Sequence, residues 1–195
     1  MISDNLKDYN ILLASASKRR HDLLRGLEIN FKIISHNADE TYPQNLKGSE
    51  ITDFISKSKS FPFLNDLKKN DLLISSDTIV WFNNKAVEKP QDKNEAKKML
   101  KLLSGSMHQV FTSICISVNG RQKIVNQETK VYFNILKNKY INYYVDKFDV
   151  LDRAGSYGIQ DFIGHIGINK IEGCYNNVLG FPTSLFCQTI EKMKL

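Results

Sequence analysis

The dipeptide Asn119–Gly120 constrains the fold more than any other feature of this chain. It joins two long runs, "HQVFTSICISV" and "QKIVNQETKVYF". The first alternates like a strand, and Asn-Gly is the preferred centre of a tight hairpin turn, so the second run returns beside it. A hairpin alone is not stable in water, and its apolar face must be covered. Helix-like segments around it supply the cover. Lys93–Leu103 puts Ala96, Met99, Leu100 and Leu103 on one face. A second helix is expected over Lys137–Lys147, a third starting at Ser49, and a closing one after Pro182 that carries Leu185, Phe186, Ile190 and Met193. "YNILLASASKRRHDLLRGL" reads as a strand over Ile11–Ala14, a loop, and a helix with Ser17 at its N-cap and Leu23, Leu24 and Leu27 inward. "FKIISH" is a further strand, and "AVEKP" a short one stopped by Pro90; the glycine-rich stretch 155–180 stays unassigned. Helices and strands intermix, which points to an α/β protein with a mixed central sheet flanked by helices. No repeat or low-complexity linker divides the 195 residues, so a single domain spanning 1–195 is expected.

Hydrophobic and charged contents of 42% and 25% fit an ordinary globular protein. The formal charge of +6 favours anionic partners. Many lysines lie in helix-like stretches such as "EAKKMLKLL", however, where a solvated face explains them. Zinc-finger spacing and an aromatic ribonucleoprotein motif are absent, so no stable nucleic-acid partner is expected. The P-loop pattern and the Rossmann glycine fingerprint are absent too. No apolar run approaches the roughly 20 residues of a membrane span. "MISDNLKDYN" lacks the regions of a signal peptide. Cys115, Cys174 and Cys187 are widely spaced with no CxxC, as in ordinary thiols of a reducing compartment. The expectation is a cytoplasmic protein with no membrane partner.

Two segments carry the chemistry. Lys18, Arg19 and Arg20 crowd the first turn of a helix, the wrong sign for an end that is already electropositive. Either these side chains simply point into solvent, or they and the free N–H groups form an anion site suited to phosphates, with Ser15 and Ser17 as extra donors. The second segment is "LLISSDTIVWF", an apolar strand interrupted by Ser75, Ser76, Asp77 and Thr78. An unpaired carboxylate buried there would cost several kcal/mol. Asp77 therefore sits at an opening, or the strand ends there and Asp77 binds local backbone N–H groups. Asp39, Glu40 and Asp77 are the candidate acids. Together they could hold a divalent cation through hard oxygens and orient a water. Lys59 and Lys89 could cap phosphate oxygens. His108, near Thr112, reads equally as structural or catalytic, and His21, His36 and His165 have no better claim. Gln160 in "GSYGIQ" can both donate and accept, which suits a base edge, although a backbone hydrogen bond is an equal alternative.

Spacing does not show that these groups converge, but an ordered set of motifs resembles one family along nearly the whole chain. "LLASASKRRHDLL" resembles the opening LAS-x-S-P-R-R pattern of the Maf family of nucleotide pyrophosphatases. "ADETYP", "ISKSKS", "SSDTIV", "EKPQDKNEAKKMLKLLSGSMHQVFT", "DRAGSYGIQDF" and "IEGCYNNVLGFP" follow in the family's order. Lys18 stands where the family has proline, and Arg153 where it usually has lysine. The resemblance implies two lobes around a cleft, a homodimer, and hydrolysis of nucleoside triphosphates between the α and β phosphates with Mg2+ or Mn2+. It makes Asp77 the proton acceptor, with Glu40 and Lys89 in the catalytic set and Glu40 and Asp77 on the metal. Ser15, Arg20 and Lys59 would bind substrate, with Lys57 the alternative to Lys59 in a loosely matched segment. Arg19, Thr78 and Gln160 would tune substrate choice, and Thr78 with Gln160 resembles the branch acting on dTTP and UTP. The alternatives are a pyrophosphatase with another nucleotide preference and a nucleotide-binding regulator of cell division without significant turnover.

Overall fold

The computed structural model describes residues 2–34, 39–193 and 195. A short helix, α1 (Ile2–Leu6), leads into β1 (Asn10–Ala14), α2 (Lys18–Arg25) and β2 (Lys32–Ile34). Then come α3 (Ser49–Ser58), a 3-10 turn (Phe61–Asp66), β3 (Asp71–Phe82), β4 (Lys85–Val87) and α4 (Lys93–Leu103). The hairpin of β5 (Met107–Val118) and β6 (Arg121–Phe133) follows. The chain continues through α5 (Asn138–Lys147), a 3-10 turn (Ala154–Ser156), α6 (Phe162–Gly167), β7 (Ile168–Glu172), α7 (Tyr175–Leu179) and α8 (Thr183–Met193).

The strongest local signals give the expected elements. Asn119 and Gly120 have φ of 50° and 73°, the left-handed pair that a tight hairpin needs. α4 occupies the expected residues because Asp92 accepts from the Glu95 N–H at 2.8 Å while Glu95 accepts from the Gln91 N–H at 2.6 Å. The end of "FKIISH", Ser35 and His36, lies outside the described residues. The unassigned stretch 155–180 holds short elements, too brief to show a period.

One mixed sheet joins the strands in the order β2-β1-β3-β5-β6-β7, with β4 also on β3. β1 runs parallel to β2 and β3, and the remaining pairings are antiparallel. β3 decides where a site can form. β5 pairs one edge of it from Leu72 to Trp81. The other edge is shared between β1, at residues 71–75, and β4, at residues 80–82. Among the described residues, 76–79 have no strand partner on that edge, and this leaves a notch at the carboxyl end of β1. Ligands of open α/β sheets bind at such strand ends.

Apolar packing divides at the same place. Leu72 and Ile74 join Leu13, Leu24 and Phe186 in one cluster. Val80 joins Leu100, Leu103, Ile141 and Tyr144 in another, while Ile79, on the opposite face, packs on Ile51 and Ile55 of α3. The two larger clusters are the cores of two lobes. Between them β3 runs straight through Ser75, Ser76, Asp77 and Thr78, so the strand does not end at Asp77 as one sequence reading had it.

His108 is a structural residue. It is buried on β5 with its ring edge-on to Phe133 and Tyr157, and its Nε2 lies 2.8 Å from the Tyr157 hydroxyl. Burial lowers its pKa from 6.5 to about 4. Below pH 6.5 the unfolded chain takes up a proton that the folded chain refuses. The stability is therefore full above that pH and is lost as pH falls towards 4, by about 3 kcal/mol in all. We expect denaturant titrations at pH 7.5 and 4.5 to show this loss, and His108→Gln to flatten it.

Candidate active site

The notch is the floor of a cleft of about 260 Å³. Successive strand residues point to opposite faces of a sheet. Asp77 and Thr78 nevertheless both line the cleft, because the missing strand partner opens the sheet between its faces.

On one side α2 contributes Arg20. The loop between β1 and α2 is short, and Ser17 takes the extended N-cap conformation without a side-chain cap bond. Arg20 is anchored at three points: Nε donates to the Gly180 carbonyl at 2.9 Å, Nη1 to Ser15 Oγ at 3.2 Å and Nη2 to Thr78 Oγ1 at 3.1 Å. All three acceptors are neutral, so they orient the charge without cancelling it. Thr112 donates to the Asn177 carbonyl at 2.9 Å, which leaves Thr78 to donate to Thr112 over 3.0 Å. Thr78 thus faces the cleft as an acceptor. Ser15 is buried behind Arg20, and its carbonyl accepts from His21 Nε2 at 2.8 Å. Arg19 lines the cleft beside it; burial and then the nearby Arg153 charge lower its pKa.

On the other side Lys59, the C-cap residue of α3, places its ammonium 2.7 Å from Asp77 Oδ1 and 2.8 Å from Glu40 Oε1. Glu40 also reaches Lys89 Nζ at 3.4 Å, and Lys89 lies 3.6 Å from Asp152 Oδ1. Burial pushes the Glu40 carboxyl up, but the charges and hydrogen bonds of Lys59 and Lys89 outweigh it, and the net pKa lies below the ordinary value. Among the described residues no three His, Cys, Asp or Glu side chains gather as a metal cluster. Glu40 and Asp77 do converge on one point, at present filled by an ammonium.

Nine of the residues singled out in the sequence therefore meet: Ser17, Arg19, Arg20, Glu40, Lys59, Asp77, Thr78 and Lys89 line the cleft, and Ser15 holds Arg20 from behind. The segment around Lys59 is loosely matched, and geometry separates its two lysines, since Lys57 is exposed. Gln160 is exposed and not among the lining residues, though its neighbours Tyr157, Gly158 and Ile159 are. Asp39 is a turn residue, accepting from the Thr41 N–H at 2.9 Å. His165 is exposed. His36 lies outside the described residues. Tyr42, Glu88, Asp152 and Arg153 also line the cleft; they lie within the quoted motifs, but the sequence assigns them no role.

The pattern that defines the family described as Maf-like protein matches residues 10–193. The chain belongs to the Maf family. It is 49% identical over 193 residues to the dTTP/UTP pyrophosphatase of Christiangramia forsetii, covering 99% of this chain and 98% of that one. It is 41% identical to the dTTP/UTP pyrophosphatase of Flavobacterium johnsoniae, covering 94% and 95%, and 39% identical to that of Bacteroides thetaiotaomicron, covering 97% and 98%. Among solved structures, the Staphylococcus aureus Ham1 protein superposes with a TM-score of 0.53 at 14% identity, covering 94% of this chain and 99% of that one. That likeness is one of fold. The Maf motifs quoted from the sequence fall on the cleft wall, from the SDT segment at Asp77 to the arginine pair of α2.

Lys59 is the keystone of this charge cluster. Lys59→Met leaves two facing carboxylates, one of them buried, without their shared cation. Breaking such a pair costs about 3 kcal/mol or more. Denaturant titration should show a larger loss at pH 8 than at pH 4, because protonation at low pH relieves the stranded carboxylates.

Proposed function

We propose that this chain hydrolyses dTTP and UTP between the α and β phosphates, releasing the nucleoside monophosphate and pyrophosphate. The observation that carries the reading is the pairing of Asp77 and Glu40 on Lys59, beside an Arg20 whose three hydrogen-bond acceptors are all neutral. Relatives of 39% to 49% identity, matched over nearly their whole length, bear the name of this activity.

In the proposed reaction Arg20, Lys59 and Lys89 bind phosphate oxygens and stabilise the charge that develops on them. Asp77 accepts the proton of the attacking water. The water oxygen bonds to the α phosphorus, the bond from that phosphorus to its bridging oxygen breaks, and pyrophosphate departs with the electron pair. Ser15 keeps the Arg20 fork in place, and Glu40 holds Lys59 and Lys89 on the same side. Arg19, Thr78 and Gln160 are assigned to substrate choice. Thr78 would present an acceptor, and Gln160 would offer both a donor and an acceptor to a pyrimidine edge.

Glu40 and Asp77 offer the hard oxygen donors that Mg2+ and Mn2+ prefer, and such ions complete their coordination with substrate phosphates and water. These two residues fit a divalent cation and would hold it; when bound, the ion would neutralise phosphate charge and polarise the attacking water. A homodimer in the cytoplasm completes the proposal. Its three free cysteines suit a reducing compartment. No described helix is long and apolar enough to cross a membrane. Light scattering tests the dimer.

Turnover should be measured with Mg2+ and Mn2+ across the common and methylated nucleoside triphosphates, resolving all phosphate products. We expect pyrophosphate from dTTP and UTP, and a fall in kcat of about 10³ in a folded Asp77→Asn protein. Tight nucleotide binding without product in either metal would replace the enzyme by a nucleotide-binding regulator. Faster cleavage of another triphosphate would move the base preference.

A further inference from the structure

One cation of the cleft is held with more machinery than the reaction above uses. Arg153 enters from the turn after α5 and lines the cleft. Its Nε donates to the Asp149 carbonyl at 2.9 Å, and its Nη1 is paired with Asp161 Oδ2. The same Asp161 oxygen accepts from the Tyr144 hydroxyl at 2.6 Å, and Tyr144 in turn accepts from the Gly158 N–H at 3.1 Å. Tyr144 is fully buried in the lobe core.

Two local features depart from the usual rules in favour of this arrangement. Asp161 stands at the N-cap of α6, where a carboxylate normally accepts from the helix N–H groups, yet it makes no such bond and turns to Arg153 instead. At residue 158 a Cβ would overlap the Arg153 guanidinium and the Asp161 carboxylate, so glycine is needed for the close approach. The network engages Nε and Nη1 of a fork with five N–H donors, and among the described residues Nη2 makes no hydrogen bond, while Arg153 lines the cleft. Arg19 lines the same cleft, near enough for the two like charges to disfavour each other. Two half-buried guanidiniums brought together this way are stabilised by an anion between them.

We propose that Arg153 is a substrate-binding residue that forms, with Arg19, a subsite for the terminal phosphates of the triphosphate and hence for departing pyrophosphate. Asp161 and Tyr144 are its positioning residues. Cleavage takes place beside Asp77, on the sheet floor, so the α phosphate belongs there, and the two phosphates beyond it carry the charge density that the Arg19–Arg153 pair matches. A neutral base has no such charge to offer, so Arg19 contributes to substrate choice through the polyphosphate and leaves the base to Thr78 and Gln160. The inference rests on the triphosphate chemistry proposed above for the identity of the anion, but its test reads anion binding directly.

The test is calorimetric titration of the full-length protein with inorganic pyrophosphate and, separately, with dTMP, both in Mg2+. Arg153→Met should raise the pyrophosphate Kd about tenfold or more, the loss of charge-assisted hydrogen bonds, and change the dTMP Kd less than about twofold. Because Arg153→Met strands Asp161, the Arg153→Met/Asp161→Asn protein repeats the measurement without an unpaired carboxylate. Arg153→Lys should recover part of the affinity. Tyr144→Phe, which keeps the ring, should weaken pyrophosphate about threefold. An unchanged pyrophosphate Kd in the folded double variant, an equal loss for pyrophosphate and dTMP, or no pyrophosphate binding by the unaltered protein each overturns the subsite. Pyrophosphate bound through Arg153 by a protein that cleaves neither dTTP nor UTP would instead overturn the proposed function and leave the subsite standing.

Discussion

The ion pair between Lys59 and Asp77 is the contact on which the rest of the site depends. Asp77 sits buried on a central strand, paired along one edge by β5. A carboxylate there is tolerated only with a close positive partner. Lys59 meets that demand at 2.7 Å, and the same ammonium draws in Glu40 from the loop after β2. Three separate elements are thereby tied to one nitrogen. The position of that nitrogen is set by packing. Ile51 and Ile55 press α3 onto Ile79, and the helix ends at Lys59, whose own N–H bonds back to the Ile55 carbonyl.

Charge is distributed unevenly around the cleft, and the unevenness has a chemical consequence. Lys59 and Lys89 each face carboxylates, so an incoming polyphosphate competes for them with Glu40, Asp77 and Asp152. Arg20 is hydrogen-bonded by two hydroxyls and a backbone carbonyl, with the Asp77 and Glu40 charges felt only at longer range. The arginines therefore attract the anion, while the lysines hold the acids in order. A substrate that displaced Lys59 from Asp77 would free the carboxylate at the place where a water must lose its proton.

The mixed sheet is what makes room for this. β1 covers β3 as far as Ser75 and β4 resumes at Val80, so a gap remains on a strand that would otherwise be paired throughout. The polar run Ser75–Thr78 coincides with that gap and with the boundary between the two larger apolar clusters. Ser75 still needs a partner inside the sheet and donates to the Ser56 carbonyl of α3 at 2.7 Å. A stretch that looks out of place in an apolar strand is thus matched to the one part of β3 that is not sealed.

The sequence by itself determined whatever depends on neighbours a few residues apart. The Asn119–Gly120 hairpin, α4 over Lys93–Leu103, and the cationic first turn of α2 are local matters of backbone preference and period, and they stand as read. Asp77 and Arg20 were legible because an acid in an apolar strand and a cation at a helix N-terminus are anomalous wherever they occur, and the order of the motifs supplied Glu40, Lys59 and Lys89. Only the tertiary structure decided that these residues share one cleft, that Thr78 accepts rather than donates towards it, and that Lys59 rather than Lys57 faces Asp77. It alone placed Arg153, Asp161 and Gly158, which share one quoted motif, against the core tyrosine Tyr144 of a separate helix. The reason is physical: side-chain periodicity records which face an element buries, whereas an ion pair between separate elements depends on how whole lobes pack, and no short stretch of sequence encodes that distance.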